Sequence, residues 1–162
     1  MAEAYGFTGT RKGMTGAQRR AVRAMLQSAS ELHHGCCVGS DHEAHLAAQL
    51  ENAHRAALTR LNESLSPVAI WAHPPKDTRY RAACEGAHTY FQPKPYLERN
   101  ADIVDYLPAW GKVIATPRQT PSKEPQGWLR GEGTWWTVRY ALNANRVVNI
   151  IWPDGTLEVR KP

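Results

Sequence analysis

The chain alternates between short apolar runs and longer stretches in which apolar residues recur every three or four positions. AYGFTG, residues 4–9, is short, aromatic and ends in glycine, which predicts a strand. Behind it Thr15 and Gln18 have capping-box spacing. Val22, Met25, Leu26 and Ala29 then recur at helical spacing, while Arg19, Arg20 and Arg23 fall on other faces. ELHHGCCVG, residues 31–39, predicts a second strand running into glycines, after which Ser40 and Glu43 repeat the capping-box spacing. The helix they open carries Leu46, Leu50, Ala53, Ala57 and Leu61 as its expected apolar stripe, with Glu51, Arg55 and Arg60 left for solvent. Its end is expected near Ser64, because Pro67 cannot continue it.

VAIWAH, residues 68–73, is a nearly continuous apolar run stopped by Pro74 and Pro75, as in a strand covered on both faces. A short helix around 79–84 and a brief strand at 88–91 follow. Leu97, Ala101 and Val104 mark another helix, and KVIAT at 112–116 another buried strand. Residues 117–133 are rich in Pro, Gly and polar side chains and read as a long loop suited to a lid. TWWTVRYALNAN reads as a helix opened by Thr134, VVNIIW as the last central strand, and TLEVR, beyond the PDG turn, alternates like an edge strand. Strands alternating with helices predict one α/β domain over residues 1–162. Its form is a Rossmann-like three-layer sandwich, with a mostly parallel sheet and a C-terminal antiparallel edge strand.

Composition narrows this picture. A chain of 162 residues holds one core, and no stretch approaches the ~18 apolar residues of a membrane span. Residues 1–5 lack the basic start and apolar run of a secretory signal. The cysteines, Cys36, Cys37 and Cys84, are odd in number and include an adjacent pair, which argues against a disulfide framework and for a reducing, cytoplasmic setting. The formal charge of +5 is spread along the chain and suits an anionic ligand or weak attraction to nucleic acid without selecting either.

In a sheet of this kind the loops leaving the carboxyl ends of the strands share one rim, where ligands bind. Four loops are expected there: 9–15, 35–41, 73–75 and 116–134. Three of them carry glycines just before a helix, where free amides and the helix dipole favour an anion by ~0.3–1 kcal/mol. Arg11 adds a guanidinium able to grip a phosphate, with Lys12 as a looser point charge. The glycine spacing matches neither a P-loop nor the dinucleotide fingerprint, so ATP hydrolysis and NAD chemistry lose weight. HHGCC with His42 and His45 invites a metal, yet adjacent cysteines are not the CxxC spacing and strand alternation sends His33 and His34 to opposite faces. His42 and His45 are expected on the exposed side of the second helix. No metal or cofactor is therefore expected.

The segments FTGTR, HHGCCVGSDHEAH, PYLERNADIVDY, KVIATP and RGEGTWWTVRYA together resemble the SLOG superfamily, which includes the Lonely Guy, molybdenum-cofactor carrier and DNA-processing protein A families. The likeness runs roughly from Tyr5 to Pro153. It implies a Rossmann-like domain that binds nucleotides or nucleotide-derived molecules, with Gly9, Thr10 and Arg11 in the first ligand loop and Gly35, Gly39, Ser40 and Asp41 in the second. Arg99 and Asn100 match the family's Arg-Asn pair, and Gly131, Gly133 and Thr134 its phosphate-holding turn. Where Lonely Guy enzymes carry a Glu needed for N-glycosidic cleavage, this chain has Thr137. A hydroxyl cannot replace a carboxylate that stabilises an oxocarbenium charge or activates water, so Glu132 or Asp41 would have to substitute.

Three functions follow as alternatives: binding or sensing of a nucleotide-derived small molecule, N-glycosidic cleavage by a different carboxylate, and nucleic-acid binding. The first is expected, supported by the anion-competent loops and the missing Glu. Relatives commonly pair through helices, so a homodimer or higher oligomer is compatible with the reading. A membrane is not an expected partner.

Overall fold

The computed structural model describes residues 2–61, 65–126 and 133–162. Seven strands form one sheet: β1 (Glu3–Gly9), β2 (Ala29–His34), β3 (Ala69–Ala72), β4 (Thr89–Tyr90), β5 (Lys112–Thr116), β6 (Val148–Ile151) and β7 (Leu157–Arg160). Their order is β4-β3-β2-β1-β5-β6-β7. Every pair is parallel except β6–β7, which closes the C-terminal edge antiparallel. This is the expected Rossmann-like α/β sheet. Strand order reverses at β1, since β2 to β4 build outward on one side and β5 to β7 on the other. A crevice at the carboxyl ends of β1 and β5 is the consequence.

Four helices cover the faces: α1 (Gly16–Leu26) and α2 (Ser40–Thr59) on one, α3 (Tyr96–Asp105) and α4 (Gly133–Asn143) on the other. Strand alternation sets both cores. Tyr5, Phe7, Leu32, Ile70 and Ile114 pack on Val22, Leu26, Ala44 and Ala48, whereas Ala4, Val113, Ala115 and Ile150 pack on Val104, Trp135, Val138 and Ala141. Trp135 is core; its neighbour Trp136 is half-buried and stacks on Tyr140.

Local chemistry explains most boundaries. The Thr15–Gln18 capping box forms in both directions, and Gln18 Nε2 also donates to the Pro117 and Ile151 carbonyls, tying α1 to the strand ends. α1 stops at Leu26, so Ala29 begins β2 rather than ending the helix. The segment at 79–84 holds only a 3-10 turn, Thr78–Tyr80.

Two expectations for α2 are corrected. No capping box joins Ser40 and Glu43: Ser40 donates its hydroxyl and its amide to the Thr10 carbonyl, and Glu43 accepts from the Met14 amide and pairs with Arg19. The helix is also rotated from the expected register. Its buried residues are Ser40, Asp41, Ala44, His45, Ala48 and Arg55, while Leu46, Leu50 and Leu61 are exposed. Ala44 and Ala48, rather than the leucines, pack in the core on this face of the sheet. Arg55, expected in solvent, is buried and donates to the carbonyls of Leu26, Gln27 and Ser66 and to Glu51. α2 ends at Thr59, and Ser64 lies outside the described residues.

Candidate functional site

At the strand-order reversal a hollow of about 400 Å³ opens. The loop after β1 supplies Thr10, Arg11 and Lys12; the loop after β5 supplies Arg118 and Gln119; Gly133 and Thr134 come from the first turn of α4. A second hollow of about 270 Å³ adjoins it, lined by Cys37, Pro75 and Asp77, and the two share Arg11, Tyr80 and Tyr96. The Arg11 guanidinium lies 4.1 Å over the Tyr80 ring. Arg11, Lys12 and Arg118 form no ion pair among the described residues, and no carboxylate from those residues lines the larger hollow. Three cations beside a helix N-terminus leave a positive field open to solvent.

The expected anion loops differ in what they leave free. The N-terminus of α1 is satisfied by its capping box, and that of α2 by the Thr10 carbonyl, which accepts from Gly13 as well as Ser40. Of the three glycine-bearing helix ends, only α4 presents its first turn to the hollow. Thr10 and Ser40 thus join loop to loop, and Ser40 is fully buried.

The remaining expected residues sort into two groups. Thr10, Arg11, Gly133 and Thr134 face the hollow. Gly35, Asp41, Arg99 and Asn100 lie beneath the rim, the last three almost fully buried. A Cβ on Gly35 would overlap the Arg99 guanidinium, so this glycine makes room for protein, not for phosphate. Gly39 has φ +91° and rests against the Arg11 backbone, two independent reasons for glycine. Gly9 packs on Ser40 and Thr116. Gly131 and Glu132 lie outside the described residues.

Arg99 organises the buried group. Its Nη1 stands 3.5 Å from Asp41 Oδ2, its Nη2 donates to Cys37 Sγ at 2.9 Å, and its Cζ lies 5.0 Å from the Tyr96 ring centre. Asp41 also accepts from the Cys37 amide at 3.2 Å. Burial raises the Asp41 carboxyl, with Arg99 opposing the shift, and burial with the Asp41 charge pushes the Cys37 thiol up to about 11. Cys37 is consequently a neutral thiol at pH 7 and a poor nucleophile. Thr137 is fully buried and donates its hydroxyl to the Gly133 carbonyl at 2.9 Å. Neither Asp41 nor Thr137 lines the hollow.

The histidines pack differently from the expectation for α2. His45 is buried: His34 Nδ1 accepts from the Cys36 amide, His34 Nε2 meets His45 Nδ1 at 3.1 Å, and His45 Nε2 donates to the Glu85 carbonyl. His34, His45 and Cys84 bring ligand-type atoms within 4.8 Å of one another. The Cys36 amide, however, leaves the His34 proton on Nε2, aimed at His45, so two neutral imidazoles satisfy each other. On the opposite face, as strand alternation requires, His33 Nδ1 meets His73 Nε2 at 3.1 Å amid Trp71, Phe91 and Tyr106.

Val38, Tyr80, Tyr96, Arg118 and Gln119 in the larger hollow, and Asp77 in the smaller, are lining residues that sequence reasoning did not name. Arg118 carries a detectable signal, a basic residue two positions beyond a strand end, as Arg11 is beyond β1. Comparison with known families, curated proteins and solved structures finds no match for this chain.

Proposed function

We propose that the chain binds a nucleotide or a nucleotide-derived molecule at this rim, in keeping with its resemblance to the SLOG superfamily. One observation carries the reading. Arg11, Lys12 and Arg118 meet the first turn of α4 at the strand-order reversal, with no acidic side chain among the described lining residues. Phosphate occupies that end, held by guanidinium forks and helix amides. Tyr80 and Tyr96, between the two hollows, offer aromatic surface to a base. No carboxylate among the described residues lines the larger hollow, and Asp77, in the adjoining one, is already paired with Arg79, which favours binding or sensing over N-glycosidic cleavage.

Calorimetric titration with nucleoside monophosphates and the matching nucleosides tests this. The monophosphates bind, the nucleosides bind far more weakly, and Arg11→Ala costs about 1.5–3 kcal/mol, the range for hydrogen bonds to a charged group. Equal affinity for both, or an unaffected Arg11→Ala variant, rejects the reading. Steeply salt-dependent binding to single-stranded DNA in place of mononucleotides would transfer the same cations to nucleic-acid binding.

A further inference from the structure

Cys36 and Cys84 line neither hollow, yet the chain returns through α2 and β3 to bring them together. Just past β2, residues 36–38 pair antiparallel with residues 80–82. The Ala82 amide donates to the Cys36 carbonyl and the Val38 amide to the Tyr80 carbonyl, each at 2.9 Å, with Cys37 opposite Arg81. Burial alternates beyond Tyr80: Arg81, Ala83 and Glu85 are exposed, Ala82 and Cys84 buried, so Cys84 shares the inward face of this strip with Ala82. Cys36 turns to meet it. Its φ of +51° lies in the left-handed region that non-glycine residues seldom occupy, and its side chain enters the small buried cluster formed with Ala72, Ala82 and Cys84. We propose that Cys36 and Cys84 are a redox-sensing pair, whose disulfide locks together the two segments that carry Cys37, Val38 and Tyr80 to the rim.

The chemistry of this pair differs from that of Cys37. Cys36 Sγ reaches the Ala82 carbonyl at 3.4 Å and accepts a hydrogen bond from the Cys84 thiol. That bond holds the Cys36 thiol below its ordinary range and, together with burial, the Cys84 thiol above its own. One sulfur is thereby the nucleophile and the other the resolving thiol. Both are buried, so the oxidant is small, a hydroperoxide such as hydrogen peroxide, admitted when the 80–84 strip lifts from 36–38. The Cys36 thiolate attacks one peroxide oxygen, the O–O bond breaks, and the departing hydroxide takes up the proton that Cys36 released. Cys36 is then a sulfenic acid. The Cys84 sulfur attacks the Cys36 sulfur, the S–S bond forms, the S–O bond breaks, and the hydroxyl leaves as water with the Cys84 proton. Two thiols have lost two electrons and two protons, and the peroxide is reduced to two waters.

What the bond spans gives it consequence. Tyr80 lines both hollows and carries the Arg11 guanidinium over its ring, while Val38 lines the larger hollow and Cys37 the smaller. Converting a hydrogen-bond contact into a covalent bond draws 36–38 against 80–84 and makes opening of their ladder rarer.

The wild-type chain itself supplies the test. Fully reduced and folded, it is exposed to hydrogen peroxide, alkylated in urea and digested without reductant. Mass spectrometry of the digest shows a peptide that joins Cys36 to Cys84, with fragmentation placing the alkyl group on Cys37, and dithiothreitol restores all three thiols. Hydrogen exchange at the Val38 and Ala82 amides slows by about tenfold in the oxidised chain, because exchange there waits on opening of the ladder. A chain that forms no such link, or one that links through Cys37, overturns the proposal. So does a linked chain whose Val38 and Ala82 amides exchange as they did before oxidation. None of these readouts depends on what the rim binds.

Discussion

Arg11 and Arg99 both flank Tyr96, yet they stand in opposite electrostatic situations. Arg11 is exposed, stacked on Tyr80 and in no ion pair among the described residues, while Asp77, which shares the smaller hollow with it, is paired with Arg79. Arg99 is 4% exposed and closed on Asp41, Cys37 and the Tyr96 ring. The difference separates two uses of the same residue type. A guanidinium whose donors are left open at a crevice is available to a ligand, whereas one whose terminal nitrogens face buried Asp41 and Cys37 holds the loops that shape the crevice. The buried layer therefore answers to stability measurements and the rim to binding measurements, and each substitution below asks whether that division holds.

The largest expected effect is on the buried layer and comes from acid. Burial lowers the pKa of His34, His45 and His73, the last to about 3, with neighbouring cationic groups adding to the shift. These imidazoles take up protons readily only after unfolding. Their contribution to stability is full above the unfolded value of about 6.5 and is lost as pH falls below it, for His73 continuing towards about 3. For His73 alone this amounts to roughly 2 kcal/mol between pH 7 and pH 5, and His34 and His45, shifted in the same direction, add to it. Urea unfolding at the two pH values measures this. A flat profile contradicts the burial argument, and Arg11→Ala leaves the profile unchanged because the rim holds no such group.

Next comes Arg99→Met, which leaves the Asp41 carboxylate buried without its cation. The expected loss is about 3–5 kcal/mol in urea unfolding at pH 7, as for other broken buried pairs. If ligand affinity collapsed while stability stayed put, Arg99 would belong to the rim and the division would fail.

How far the sequence anticipated this arrangement depends on how local each signal is. β5 was legible residue for residue, since a buried parallel strand needs an unbroken apolar run and KVIAT supplies one. The α1 start was legible because a capping box is contained within four residues. α2 misled because periodicity identifies an apolar face but not what that face meets. Leucines drew the expectation to one side while the sheet accepted Ala44 and Ala48 on the other. Gly35 was placed in a ligand loop, and only the fold reveals that Arg99, more than sixty residues away in sequence, packs against it. Tyr80, in a 3-10 turn, and Tyr96, at the start of α3, left no signal because they reach the crevice through strand order, which sequence patterns do not specify.

Among rim residues, Arg118→Ala sharpens the comparison from the other side. Affinity for a nucleoside monophosphate falls by about 1.5 kcal/mol, toward the low end for a charged hydrogen bond, since Arg11 and Lys12 still serve the phosphate. The urea midpoint stays where it is, because an exposed side chain without an ion pair among the described residues has nothing in the fold to lose. A large drop in stability would place Arg118 with Arg99 instead.

The smallest effect belongs to Thr137→Val. Thr137 stands one helical turn past Gly133, so close to the hollow that its hydroxyl invites a catalytic reading. That hydroxyl already donates to the Gly133 carbonyl within α4, and no part of it is open to the crevice. A back-bonded threonine hydroxyl adds little to a helix, and valine keeps the branched shape packed in the same space. Stability should change by less than about 1 kcal/mol and monophosphate affinity by less than about twofold, or ~0.4 kcal/mol. A larger loss of affinity at unchanged stability would mean that α4 opens its first turn to the ligand, and position 137 would then move from the scaffold to the site.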